Sequence, residues 1–420
     1  MLFRVFILVI LLAFAPLAKA AQYSIPPENG ALATALKNAK SGDILRLSTG
    51  TYKGNFIIDV SVTIEGDGNA KIIGNGVGSP IIVTAPNVTI RGLEISGSGS
   101  SHETMDSGVR LLKGADNAIV ENNKIIGNLV GVNIHGAKNA VVRRNIIVGR
   151  QDKRMNDRGN GIYIWNALNA KVIENDVQYG RDGIFVTTSK KNEYRGNRFR
   201  DLRFAIHYMY VHDTIVAQNI SINNHLGYAI MFSKKVTVIG NLSRNDRDYG
   251  IMLNYANSSK ISDNIVERAE EKCVFIYNSH KNTISGNRFE RCEIGIHFSA
   301  GSERNEIYNN SFLFNQTQVK YVGTKWVDWS ANGLGNFWSD NQGFDLNGNG
   351  IADGPYRPND VMDRILWTQP AAKALMGSPA VQLIKWSQSA FPALLPGGVI
   401  DSAPLMRATS PAMPIWKDIK

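Results

Sequence analysis

The chain has 420 residues, a formal net charge of +10 and two cysteines, Cys273 and Cys292. After the first twenty residues no stretch reaches the ~20 apolar residues of a membrane span, and the cysteines lack the C-x-x-C spacing of a zinc or redox motif. A helical membrane protein and a zinc-ribbon fold are thereby set aside.

Residues 1–20 read as a secretory signal peptide. Arg4 precedes an apolar run from Val5 to Ala18, and Ala18-Lys19-Ala20 forms a small-x-small cleavage site before Ala21. Loss of Arg4 and Lys19 lowers the charge from +10 to +8. An exported chain has no nucleic acid among its expected partners. Export also permits a Cys273–Cys292 disulfide, although two small, semi-buried thiols fit the sequence equally well.

Residues 31–40 have a short amphipathic helix pattern with Leu32 and Leu36 four apart. Such a helix would cap the first coil of a repeat array, whose core is otherwise open. Strands are predicted at residues 43–47, 55–59 and 62–65. Val62-Thr-Ile-Glu-Gly66 recurs as Val88-Thr-Ile-Arg-Gly92, and with it the coils begin. A Gly/Ser-rich loop at residues 97–107 carries His102, Glu103 and Asp106 and reads as a flexible excursion rather than a metal site.

A regular array follows. Asn123, Asn145, Asn175, Asn197, Asn219, Asn241, Asn264, Asn287 and Asn310 stand in steps of 22, 30, 22, 22, 22, 23, 23 and 23. The long step contains the polar insert at residues 151–158. A branched or aromatic residue lies three before each asparagine, from Val120 and Val142 to Ile284 and Ile307. In phase runs a second ladder: Gly131-Val132, Gly161-Ile162, Gly183-Ile184, Ala205-Ile206, Ala229-Ile230, Gly250-Ile251, Cys273-Val274 and Gly295-Ile296. Self-similarity at this period marks a solenoid. Short apolar runs broken by Gly and Asn, with no helical period, make it a right-handed parallel β-helix of ~22-residue coils. The asparagines read as an inward ladder of bonded amides, with exposed turn asparagines as the alternative. The β-helix and its cap are assigned to residues 21–339, and a C-terminal segment to residues 340–420.

Strand alternation sorts the residues after each Gly-Ile step. The first and third positions are apolar (Ile184 and Val186, Ile230 and Phe232, Ile251 and Leu253) and should point inward. The second-position column then points out: Asn133, Tyr163, Phe185, His207, Met231, Met252, Phe275, His297. So does the fourth: His135, Trp165, Thr187, Met209, Ser233, Asn254, Tyr277, Ser299. On this reading His207, Met209, Met231 and Met252 form one exposed cluster. Thioether plus imidazole is a ligand set that selects Cu(I). The other readings are an apolar docking surface and a phase error that would put these residues in the core. Tyr163, Trp165, Phe185, Phe275 and Tyr277 on the same face suit a partner interface in either of the first two cases. The cations of residues 190–203 read as a solvated turn or as a surface for an acidic partner.

Asp345-Leu-Asn347-Gly-Asn349-Gly350-Ile351-Ala-Asp353 has the spacing of a Ca²⁺ loop, with oxygen ligands at positions 1, 3, 5 and 9, Gly at 6 and the Ile351 carbonyl at 7. Tyr356 replaces the usual acidic residue at position 12, so a last ligand would come from elsewhere, such as Asp360 or Asp363. An Asx-turn loop without metal is the alternative. Residues 378–390 read as a helix with Val381, Ile384 and Trp386 as apolar positions. The apolar stretch 391–406, interrupted by Pro392, Pro396 and Pro404, either folds back on the β-helix or docks on a partner.

The segment Tyr194-Arg-Gly-Asn-Arg-Phe-Arg-Asp-Leu-Arg-Phe-Ala-Ile-His-Tyr-Met-Tyr210 resembles the central signature of the NosD family. So do Gly335-Asn-Phe-Trp-Ser-Asp340 with the loop after it, and residues 378–386 through 395–401. The resemblance implies a periplasmic, non-catalytic, copper-binding accessory protein in the maturation of nitrous oxide reductase. It implies work with an ABC-transporter permease and its separate ATPase to build the reductase's copper–sulfide centre. The reductase and a membrane-anchored copper chaperone are further expected partners. The rival reading is a lyase or epimerase on an anionic polysaccharide, with His207, His212, Tyr210 and Arg203 as candidate groups. It is disfavoured because methionine, and no carboxylate, is expected beside His207.

Overall fold

The computed structural model describes residues 21–299, 301–359, 369–375, 378–390 and 397–415. The predicted signal peptide, Asp360, Asp363, Pro392 and Pro396 lie outside the described residues. The chain winds into a parallel β-solenoid of about 14 turns. Each strand pairs with the equivalent strand one coil on, so Val132–His135 lies against Ile162–Trp165, which lies against Ile184–Thr187.

The helix expected near the N-terminus forms at Ala31–Asn38 (α1) and buries Leu32 against the first coil. Stacked Val, Ile, Phe and Tyr then fill one continuous core. The column three before each asparagine, Val120 through Ile307, is buried throughout. β-branched side chains hold this position because they pack well against like neighbours on a pleated surface.

The asparagines are inside. Each rung's Oδ1 accepts from the backbone N–H and the Nδ2 of the rung before it, as Asn219 does from Asn197 at 2.9 and 3.0 Å. Each Nδ2 also donates to a core-strand carbonyl, as Asn197 does to Val172 at 2.9 Å. The residue just before a rung takes positive φ, for example Arg144 at 54°, Glu174 at 55° and Gln218 at 55°. The left-handed region costs an L-residue roughly 1–2 kcal/mol, and the amide bonds of the next rung hold the bend. The ladder runs one rung further than the sequence suggested, to Asn336, which bonds Asn310 at 2.9 Å.

The insert at residues 151–158 is an excursion containing a 3-10 turn, Met155–Asp157. In the loop at residues 97–107, buried Asp106 accepts from Ser101 N and Thr104 Oγ1, so its role there is structural. Cys273 and Cys292 form a buried disulfide, their Cα atoms 5.6 Å apart. The second helix, Pro379–Ala390 (α2), leaves Leu383 and Trp386 exposed. The chain then returns to the solenoid. Gly398–Ile400 pairs with Trp326–Asp328, and buried Asp401 Oδ2 accepts from Asn336 N and the Trp338 indole, each at 2.7 Å. Among the described residues, no helix is long and apolar enough to cross a membrane.

One coil departs from the predicted register. Ile206 pairs with Tyr228, not Ile230, and Tyr228 pairs with Ile251. The true step is Gly227-Tyr228, two residues earlier than Ala229-Ile230. Tyr228 reaches across the interior to the Leu242 carbonyl at 2.9 Å. Phe232, expected inside, has φ 49° and stacks outside the core between Tyr210 and Tyr255, with centroids 5.2 and 5.1 Å apart. Ser233, expected outside, is buried and accepts from Val211 N.

Candidate functional site

The two-residue slip leaves the parity of the outward face unchanged and rearranges its members. The second column runs Asn133, Tyr163, Phe185, His207, Ala229, Met252, Phe275, His297. The fourth runs His135, Trp165, Thr187, Met209, Met231, Asn254, Tyr277. Met231 therefore sits beside Met209, not between His207 and Met252 as predicted. His207 and Met252 flank Ala229, one coil on either side.

Ala229 decides the shape of this place. Alternation points it outward, between inward Tyr228 and Ile230, and it lies outside the core cluster. Yet it is fully buried, so only its neighbours on the outer face can cover it. Strands lie ~4.8 Å apart and next-nearest residues along a strand ~6.7 Å apart. His207, Met209, Met231 and Met252, all half-buried, thus close over this one methyl group.

His207 is fixed from below. Fully buried Asp182 accepts two bonds from Arg203, at 2.8 and 2.6 Å, and one from His207 Nδ1 at 3.1 Å. Burial alone would raise the Asp182 carboxyl, but the bonds from His207 and Arg203 outweigh it and hold the group below the usual range. An ionised carboxylate only accepts, so Nδ1 is the donor in this bond and Nε2 is the ring nitrogen left outside it. Phe185 and Phe204 hold the ring on its other sides, with centroids at 4.7 and 4.9 Å. The sequence reading missed Asp182 and expected no carboxylate here. The signal was present: Asp182 opens the strand immediately before Gly183, one coil beneath Arg203 and His207.

The aromatics expected at an interface share this face. Tyr163 stacks towards Phe185 at 5.6 Å, Trp165 stacks on His135 at 4.4 Å, and Phe275 lies 6.3 Å from Tyr277. Trp165 and Tyr277 are 36% and 41% exposed. Further along, His297 is pushed down to about 4 by burial and by Lys320 and Lys272, so it is neutral at ordinary pH. Three of the six cations at residues 190–203 are matched by carboxylates: Arg195 pairs with Glu193, Arg200 with Asp176 and Arg203 with Asp182.

At the C-terminal end, Asp345 Oδ1 accepts from Gly348 N and its Oδ2 from Gly350 N, both at 2.7 Å. Asp353 Oδ2 accepts from Leu346 N at 2.8 Å. Asn347 and Asn349 accept from Asn349 N and Ile351 N. The side-chain oxygens of the D-x-N-x-N loop are thus each engaged by the loop's own backbone amides. Among the described residues, no group of three or more His, Cys, Asp or Glu comes together as a metal cluster.

Residues 144–343 match a family model described as "Periplasmic copper-binding protein (NosD)". A curated relative from Stutzerimonas stutzeri, "Probable ABC transporter binding protein NosD", is 39% identical over 376 residues, covering 86% of each chain. One of the same description from Pseudomonas aeruginosa is 39% identical over 374 residues, covering 86% of this chain and 87% of its own. Among solved structures, the A-module of the Azotobacter vinelandii mannuronan C-5 epimerase AlgE6 superposes with a TM-score of 0.57 at 12% identity, over 74% of this chain and 92% of its own. A mannuronic-acid-specific polysaccharide lyase from human gut microbiota gives 0.53 at 13%, over 76% and 86%. At such identities the likeness is one of fold alone.

Proposed function

This chain belongs to the NosD family, and on that premise we propose that it is a periplasmic scaffold in the maturation of nitrous oxide reductase. In this reading it works with an ABC-transporter permease and its ATPase, receives Cu(I) from a membrane-anchored chaperone, and docks the reductase while the copper–sulfide centre is built. Copper is cargo here, and the chain is not itself an enzyme. The His/Met patch over Ala229 carries the proposal. It brings together one imidazole, whose Nε2 lies outside the bond to Asp182, and three thioethers, a donor set matched to a soft monovalent cation. Asp182 beneath His207 is the carboxylate partner that metal-bound histidines usually have. Tyr163, Trp165, Phe185, Phe275 and Tyr277 would meet the docked protein around it. The Asp345–Asp353 loop would hold a structural Ca²⁺ through Asp345, Asn347, Asn349, the Ile351 carbonyl and Asp353.

The test is made on the reductase. It is purified from the native host with this gene intact, deleted, or carrying His207→Ala with Met231→Ala, and copper and sulfide per subunit are measured. Loss of the sulfide-bridged centre on deletion, and reduced copper with the double variant, are expected. Unchanged metal and sulfide on deletion would overturn the maturation reading. Full maturation by the double variant would remove copper handling from this face.

The Asp182–His207 pair also favours a second reading, since a carboxylate-oriented imidazole can act as a general base. A lyase or epimerase acting on an anionic polysaccharide would then give β-elimination absorbance or epimerised product that disappears with His207→Ala.

A further inference from the structure

Beyond the C-terminal ends of the strands that carry the His/Met face, the wall of the solenoid folds into a concavity of about 1060 Å³. Lys113, Lys138, Lys190 and His212 line it together with Trp165 and Tyr210. The cations are in register: Lys190 pairs with Leu168 and then His212 along one column, and Lys138 N bonds Asp116 Oδ1 in the same row of coils. Among the described residues none of the three lysines has an ion pair, whereas most arginines of this chain do. Asp116 is the single acidic residue in the wall. Charged groups left unmatched around a concave site focus a field that draws in anions.

Two further observations narrow the ligand. Trp165 is stacked on His135 on one side only, and Tyr210, 52% exposed, is stacked on Phe232. Each is a ring fixed in place by a neighbour with its remaining face in solvent. The His135 Nδ1 in the same wall is buried with no hydrogen-bond partner. The backbone groups of the wall, in contrast, are already used between coils: Gly136 N bonds Trp165 O, Asn166 N bonds Thr187 O, and Lys191 N bonds His212 O. A peptide could not add here as a strand. Recognition must come from ring faces, ammonium groups and imidazoles acting on a ligand that has flat apolar faces, hydroxyls and carboxylates.

We infer that this trough binds a carboxylated saccharide chain, with Trp165 and Tyr210 as platforms for sugar rings and Lys138 and Lys190 as partners for their carboxylates. The inference does not depend on copper or on the reductase.

Isothermal titration at low ionic strength tests it, using the mature chain with a linear oligouronate, a neutral oligosaccharide of equal length and a polyglutamate peptide of equal charge. The oligouronate is expected to bind, more weakly as salt is raised. The neutral sugar should fail, and the peptide should bind about tenfold more weakly or worse. Trp165→Ala, and separately Lys138→Ala with Lys190→Ala, should each weaken oligouronate binding by about tenfold, with the circular dichroism spectrum and thermal midpoint retained. No oligouronate binding at millimolar concentration, a peptide that binds as well, or undiminished binding by both folded variants would each overturn the inference.

Discussion

At the scale of single residues, two buried aspartates behave in opposite ways. Asp182 is held down by Arg203 and His207 and is ionised. Asp182→Asn would offer Arg203 a poor partner and let His207 turn. A buried ion pair broken on one side costs about 3–5 kcal/mol, and the lost orientation of His207 should weaken any metal at Nε2 by about 10–100-fold. Nitrogen-15 shifts of the His207 ring should show a single tautomer in the native protein and a mixture in the variant. Asp246 lies inside the coil, accepting from Ser221, Ser243 and Asn224 N, and burial pushes it up to about 7 in spite of those bonds. Its folded pKa lies above the unfolded value of about 3.9. Its contribution to stability is therefore complete below about pH 4 and is lost as pH rises towards 7. Asp246→Asn keeps the shape, and serine hydroxyls can accept as well as donate. The variant should melt higher than the native chain at pH 8 and show a flatter midpoint between pH 4 and 7.

At the scale of the strand and coil, the outward face depends on which residue is small. Ala229 is the one residue with a single-carbon side chain in a row of Asn, Tyr, Phe, His and Met, and its neighbours close over it. Ala229→Leu should push those neighbours apart, at about 1–3 kcal/mol. It should also abolish Cu(I) uptake measured against a colorimetric chelator, if this patch is where copper sits. Retained uptake would move the site elsewhere. The same coil shows how far the sequence could be read. The asparagine period, the inward Val and Ile columns and the Gly-Ile steps follow from packing rules that repeat in every coil, so they were legible. Ala229-Ile230 imitates Gly-Ile, and the true step carries Tyr228 at an interior position where branched aliphatics normally stand. Only the hydrogen bond from Tyr228 to Leu242 explains the exchange. Asp182 was missed for a related reason. A buried carboxylate makes sense only with its two partners from the next coil, and no pattern within one repeat announces it. The disulfide was undecided because Cys273 and Cys292 are not equivalent positions. Cys273 aligns with Gly295 of the next coil, and Cys292 stands three residues before that position, near enough for the bond.

At the scale of the molecule, a solenoid's weak points are its ends. Ala31–Asn38 closes one. The other is closed by chain that returns from beyond α2, so the C-terminal segment shares hydrogen bonds with the last coils. Asp401 is the fastener, receiving Asn336 N, the Trp338 indole and Ala403 N. Asp401→Ala would leave those buried donors without acceptors, at about 1–3 kcal/mol each. Hydrogen exchange should quicken first at residues 326–338 and 398–405, while the coils around Asn197 stay protected. Uniform acceleration along the chain would show that the solenoid melts as one unit instead.

Asp401 has a second aspect, which comes from the direction of the asparagine ladder. From Asn123 onward every side-chain amide presents its oxygen to the rung before it and its NH₂ to the rung after. The amide dipoles therefore add head to tail along the axis, and bonded amides in a row polarise one another. The interior of this protein is a small electret, negative towards the first coil and positive towards the last. Asn336 is the final rung, and its N–H groups end on the Asp401 carboxylate. The positive pole of the rod is thus closed by acceptor oxygens, as the N-terminus of a helix is closed by a capping side chain. The two ends of the solenoid are electrically distinct, whatever the charges on its surface.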